Sequence, residues 1–357
     1  MSMYFTLLSS ASQSFIYYTI FRCLIGTVFN SVMSLTIVYN TEYTRSSDHG
    51  LAVLWYNIVF LAGNLFGIAV SFVTLNKYGW RVYIIYTTVP CIALSIPMFL
   101  LKESIRYLQV KGKTKDIIKI LKTITRTVKK SWPENVQLKT EVSSIYGRNI
   151  SNSPVISKHW KSLLGLSVYG VPLYITYYGL PFLINFKLQH KNSCQIPQTL
   201  TLCTPLTDGE IMQSFFVNLG LLPGSILGYL LAEKVGRKTL LGFSAVLMAI
   251  TYFSLLICRF PVVDTYFLLF LCSGLSLSTA CFLFLYSAEL FPTNSRGTVT
   301  GIAACIWKTS SILSPVLFQQ LIYTHYHWVL ISLGTSSLVG LFALFILPET
   351  LKKKLED

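Results

Sequence analysis

The chain has 357 residues, of which 53% are hydrophobic and only 12% charged, with a mean hydropathy of +0.57. That composition excludes an ordinary water-soluble globular protein. The formal net charge is +15, but the basic residues are confined to particular loops and tails, which excludes a nucleic-acid partner.

Residues 1–13 read as a stub: a short uncharged apolar piece followed by a Ser-rich turn, without the basic start of a signal peptide. Apolar stretches follow at 14–39, 51–75 and 82–101, each near the ~20 residues that cross a bilayer core. Segment 102–161 is different, carrying 14 of the 29 Lys and Arg residues. Within it Ile117, Leu121, Ile124 and Val128 recur at helical spacing with lysines on the other faces. Such a helix either lies on an anionic leaflet or packs beneath a bundle. Residues 131–161 read as a linker.

Six more apolar stretches follow at 162–186, 211–232, 239–258, 265–288, 297–322 and 328–347, and then a basic tail at 348–357. Of the nine stretches, only two hold a charge, Arg22 and Lys308. Prolines inside several of them (Pro90, Pro172, Pro181, Pro223, Pro315) would break helices in water but are tolerated in membranes. The expected fold is an all-α polytopic membrane protein with domains 1–13, 14–101, 102–161, 162–347 and 348–357.

The sequence also repeats. Tyr39-x-x-Glu42-x6-His49-Gly50 recurs as Tyr286-x-x-Glu289-x6-Arg296-Gly297, displaced by 247 residues. Glu103-Ser104 follows Glu42 by 61 residues, and Glu349-Thr350 follows Glu289 by 60. Two parallel repeats are a transporter architecture. The second signature is preceded by four apolar stretches and the first by one and a stub. The internal symmetry therefore leads us to expect a twelve-helix plan seen as nine spans, without roughly its first three helices.

Charge distribution sets the expected topology. With 102–161 on one side, 22 Lys and Arg residues share that side, against Lys77, Arg81, Lys187, Lys191 and Arg259 on the other. By the positive-inside rule the loop and the C-terminus are cytoplasmic. Cys194 and Cys203 then share the external loop 187–210 and form the candidate disulfide. On the cytoplasmic side, Glu42, His49, Glu103, Arg106, Glu233, Arg237, Lys238, Glu289, Arg296 and Glu349, with a tight turn at Gly236, are candidates for a salt-bridge layer. Such a layer would hold one conformation and release it in another; topology anchoring is the plainer alternative.

All fourteen acidic residues fall in loops or at span ends. Lys308 lies twelve residues into its span, where a Lys costs about 2.5–3.5 kcal/mol, so its default reading is a functional cavity, with snorkelling from a tilted helix as the plainer alternative. A cation site or proton relay normally uses membrane carboxylates, so their absence leans toward an anionic or neutral solute. No catalytic triad, phosphate loop or metal motif is present in the sequence, so neither an enzyme nor a cofactor is expected.

The segments GYLLAEKVGRK (228–238), KESIRYLQVKGK (102–113), YSAELFPTNSRG (286–297), LPETLKKKLED (347–357) and FRCLIG (21–26) resemble, in order and spacing, motifs of the major facilitator superfamily. With YITYYGL ending at Leu180, the chain is most similar to the organic ion transporters of solute carrier family twenty-two. That resemblance implies a two-half helical bundle in the plasma membrane that moves a small organic ion. It implies an anion-type carrier, because the position twelve after Arg296 is the basic Lys308. It also implies a cavity lined by Tyr177, Tyr178 and Phe284. A sugar-like or neutral-solute carrier, and a non-transporting membrane protein that regulates a relative, are the alternatives.

Overall fold

The computed structural model describes residues 1–44, 48–110, 112–127, 153–189, 207–257, 262–291 and 293–350, which are helical almost throughout, with no strand among them. The candidate disulfide Cys194–Cys203 and the side chain of Arg106 lie outside the described residues.

The first half holds α1 (Ser2–Ser10), α2 (Phe15–Tyr43) and α3 (His49–Ser95). Two short helices follow, α4 (Ile105–Val110) and α5 (Thr114–Thr127). The second half holds α6 (Ser153–Gln189), α7 (Asp208–Leu219), α8 (Leu221–Lys234), α9 (Arg237–Ser254), α10 (Val262–Leu290), α11 (Thr293–Thr324) and α12 (Tyr326–Leu344). Helix α2 begins where Ser14 accepts the Tyr17 N–H as an N-cap. Helix α7 begins with a reciprocal capping box between Thr207 and Glu210.

Helix α3 is too long to be one span. Its 47 residues would reach about 70 Å, more than twice a ~30 Å hydrocarbon core. Gly79 breaks it, with φ of 78° and ψ of 175°. Only glycine takes that left-handed backbone without penalty, and nothing lies where its Cβ would be. The break falls between the apolar stretches expected at 51–75 and 82–101.

By length and apolar composition, six helical stretches among the described residues are able to cross a membrane. The expected nine is not reproduced as a count. His49–Ser95 enters once despite its break, and α2 contributes only the shorter apolar stretch Phe15–Phe29. Helix α9, which opens on Arg237 and Lys238, is not among the six.

The core sits in the second half. Helix α6 packs chiefly against α11 and α12, and α12 against α9. Leu166, Tyr169, Tyr174, Tyr252, Leu283 and Trp307 are fully buried there. The apolar window of α10 is 78% buried, whereas that of α3 is only 11% buried. Helix α3 therefore leaves most of its apolar surface, including Trp55, Phe66 and Tyr86, exposed. One stripe of α3 packs on α7, α8 and α10, and this seam joins the halves.

The basic amphipathic helix is α5. Its Ile117, Ile120 and Leu121 pack on Leu108 and Ile105 of α4, so its apolar stripe covers another helix while Ile124 stays exposed.

Gly236, between α8 and α9, has φ of 116° and the Glu349 carboxylate occupying the space a Cβ would need. Both alanine substitutions force the backbone into a region essentially reserved for glycine, at about 1–3 kcal/mol each, and Gly236→Ala should cost more than Gly79→Ala because it also displaces the Glu349 carboxylate. Thermal unfolding of the purified protein in lipid nanodiscs would measure both, and the reverse ranking would refute the role given to Glu349.

Candidate functional site

Two features share the seam between the halves: a charged layer at one end and a polar cavity toward the other.

The layer is built from the repeated signature. Tyr39 donates its hydroxyl to the Lys102 carbonyl, the residue before Glu103. Tyr286 donates to the Pro348 carbonyl, the residue before Glu349. The echo in the sequence is thus one hydrogen bond made twice. Tyr43 adds a bond to the Glu103 carbonyl at 2.8 Å. Burial pushes the Tyr43 hydroxyl well above the usual phenol range, and Tyr39, Glu42 and Glu103 add to this, so it remains a donor.

The charged members pair across the halves. Glu42 of the first copy lies 3.9 Å from the Arg296 guanidinium of the second. Glu289 of the second copy lies 3.1 Å from His49 Nδ1 of the first. Each acid meets the basic residue of the other repeat. Glu289 is also held by Arg237 Nε at 3.3 Å and by the Thr350 hydroxyl at 2.8 Å. Arg237 further contacts Glu233 at 3.4 Å and donates to the Ala232 carbonyl at 3.0 Å. His49, Arg237, Glu289 and Arg296 are all buried, so solvent screens these contacts little.

Glu349 has another role. Its carboxylate accepts the backbone N–H groups of Arg237 and Lys238 at 3.0 and 3.1 Å, capping the N-terminus of α9. A negative group there satisfies orphan donors and complements the helix dipole. Lys238 thus enters the layer through its backbone, and Gly236 supplies the turn that lets Glu349 approach.

The cavity, about 400 Å³, lies between α3, α6, α7 and α10. Its walls include Asn64, Tyr177, Tyr178, Asn185, Asn218 and Ser276. Asn64 donates to Asn218 at 2.9 Å and so links the two halves at the wall.

Lys308 approaches from behind. The indole N–H of Trp307 donates to the Leu166 carbonyl at 3.0 Å, which anchors this stretch of α11 against α6. The Lys308 ammonium then donates to the Tyr178 hydroxyl at 3.0 Å. It lies 5.1 Å from the Tyr174 ring centroid and 5.5 Å from that of Tyr178. Among the described residues, its contacts are phenolic and aromatic, with no carboxylate. Tyr178 is both a partner of Lys308 and a wall of the cavity.

Phe284 falls elsewhere. It is 1% exposed and packs edge-on against Trp307 and Tyr174, in the core behind the lysine rather than on the cavity wall.

The sequence reading passed over the asparagines. Asn57 and Asn64 stand seven residues apart on one face of α3, within a span free of charge. Asn57 is fully buried, and neither end of its carboxamide finds a hydrogen-bond partner among the described residues. Paired carboxamides on one face of a charge-free span were the available signal. Tyr174, beside Lys308, likewise has an unpartnered hydroxyl.

Because Glu289 serves both Arg237 and His49, Glu289→Gln should cost about 3 kcal/mol by leaving a buried guanidinium short of its counter-charge. Glu42→Gln also leaves a buried guanidinium, Arg296, short of counter-charge, but across the longer 3.9 Å contact it should cost less, about 1–2 kcal/mol. Denaturant unfolding of the two variants checks this, and equal losses would contradict the shared role of Glu289.

The sugar (and other) transporter family matches residues 1–357. The organic cation/carnitine transporter 7 of Arabidopsis thaliana is 22% identical over 349 residues, covering 88% of this chain and 69% of its own length. The synaptic vesicle 2-related protein of Xenopus laevis is 22% identical over 365 residues, covering 100% of this chain and 66% of its own. The chain thus spans about two thirds of the length of these curated relatives. The structure of the major facilitator superfamily proton:xylose symporter XylE, bound to 6-bromo-6-deoxy-D-glucose, superposes with a TM-score of 0.69 at 20% identity. That match covers 99% of this chain and 80% of the symporter.

Proposed function

The chain belongs to the sugar (and other) transporter family and is a multi-pass membrane transporter of the major facilitator fold, and on that premise we propose that it carries organic anions by alternating access. The two halves rock about the seam along α3. The charged layer holds one end shut while the cavity is reached from the other, and its separation opens the opposite route. By the Lys and Arg distribution the layer faces the cytoplasm, and the resemblance to organic ion transporters points to the plasma membrane.

The observation that carries the anion assignment is Lys308 in its cage of tyrosines. Two rings and one phenol offset part of the cost of a buried ammonium, each ring contributing about 0.5–2 kcal/mol. They do not neutralise it. Its charge remains available to a solute carboxylate or sulfonate entering beside Tyr178. At ~4 Å and an effective dielectric near 20 that attraction is about 4 kcal/mol. Tyr177 and Tyr178 hold the apolar body of the solute, and Phe284 supports the lysine from the core.

A second reading has its own support. The asparagine and serine groups on the wall are neutral donors and acceptors suited to a hydroxylated solute such as a sugar.

Uptake into proteoliposomes separates the two. With Lys308→Ala, uptake of organic anions should fall at least about tenfold, while uptake of cations of equal size changes less than about twofold. Equal losses for both would make Lys308 a folding residue. If uptake of neutral polyols depends on Asn64 and Asn218 but not on Lys308, the second reading replaces the first.

A further inference from the structure

Among the described residues, the cavity walls carry no ionised group. Their hydrogen-bonding members are carboxamides, serine hydroxyls and the phenols of Tyr177 and Tyr178. Lys308 is not on the wall. It stands behind it on α11, and its ammonium ends on the Tyr178 oxygen at 3.0 Å. A solute inside the cavity therefore meets the phenol before it meets the lysine.

A phenol has one O–H donor and two oxygen lone pairs, whereas an ammonium has only donors. In the bond between them the Tyr178 oxygen accepts and keeps its own proton. Among the described residues no acceptor takes that proton. The repulsion between like-signed hydrogens turns it away from the ammonium, and Tyr178 is the partner of Lys308 that lines the cavity. The phenol is also held in place. Its ring meets that of Tyr177 edge-on at 5.0 Å and lies 6.0 Å from that of Tyr174. On the other side the ammonium rests 5.1 Å from the Tyr174 ring, on a helix anchored by Trp307.

We propose that Tyr178 is the residue that recognises the anion, and that Lys308 is a positioning residue acting through it: the ammonium polarises the phenol, whose O–H donates to the solute carboxylate. This rests on the anion reading above and assigns its donor. No proton is transferred, so lysine, phenol and carboxylate keep their charges throughout. A hydroxyl that accepts from a cation is a stronger donor than the same hydroxyl alone. A direct ion pair would instead require the ammonium to leave the Tyr178 oxygen and both ring faces and to pass the phenol in front of it. The relay needs no such rearrangement. It lets a lysine that does not open onto the cavity set the preference of the solute site, while Asn64, Asn185 and Asn218 are left for neutral polar atoms of the solute body.

Binding of 2-naphthoate and of its primary amide, 2-naphthamide, to the full chain in lipid nanodiscs tests this. The two probes share a body and differ in charge, so the ratio of their affinities reads anion recognition. A substitution that only loosens the fold lowers both and leaves the ratio alone. Tyr178→Phe should lower the ratio about tenfold or more, as Lys308→Ala should, with the amide affinity held within about twofold. In the Tyr178→Phe background, Lys308→Ala should change the ratio by less than about twofold, because the two residues act in series. A Tyr178→Phe chain that keeps its ratio while Lys308→Ala loses it would overturn the relay and leave the anion reading standing. So would a further tenfold loss from Lys308→Ala in the Tyr178→Phe background. Equal loss of amide and carboxylate in Tyr178→Phe would make the phenol a structural residue and also overturn the relay. A wild-type ratio near one, or a ratio that neither substitution changes, would sink the anion reading and the relay together.

Discussion

Glu289 is one carboxylate asked to serve both halves. It lies out of water, where an ionised acid without partners costs several kcal/mol. Arg237, His49 and Thr350 meet it from three directions, and two of them belong to helices that no local rule would place beside α10. The seam between the halves follows from this. Arg237 ties α9 to α10, while His49 ties the start of α3 to the same point. Closing the layer satisfies the acid, and parting it exposes the acid to water.

The cavity obeys the opposite rule. In the proposed reading, a layer that opens needs pairs that water can replace, whereas a solute site needs charge that water has not already matched. Lys308 meets that need because its partners are aromatic faces and a phenol rather than an acid. Trp307 holds the lysine's helix against α6, so the ammonium has a fixed direction without a counter-ion. Asn57 adds tension of another kind. A buried carboxamide with neither end bonded costs about 1–3 kcal/mol, and it sits on the α3 face that a shift of the halves would uncover.

The same helices carry both ends. Helix α3 runs from His49 through Asn57 to Asn64, and α10 from Ser276 on the cavity wall to Glu289 in the layer. A displacement of either helix is felt at the cavity and at the layer together, which gives coupling between solute and layer a physical route.

The sequence by itself determined the class, the helical elements and the repeat. These depend on local and periodic properties: unbroken apolar runs and a signature recurring with its partner at matching distance. It also grouped most Lys and Arg outside the apolar stretches, with Arg22 and Lys308 as exceptions. Only the tertiary structure decided who pairs with whom. Nothing in the spacing says that Glu42 and Glu289 exchange partners, that Glu349 caps α9, or that Phe284 turns to the core. Nor does it say how the two apolar runs of α3 follow one another, which the break at Gly79 decides. Pairing across a seam depends on which faces of distant helices meet. That is set by packing among residues far apart in sequence, and no pattern within a single helix encodes it.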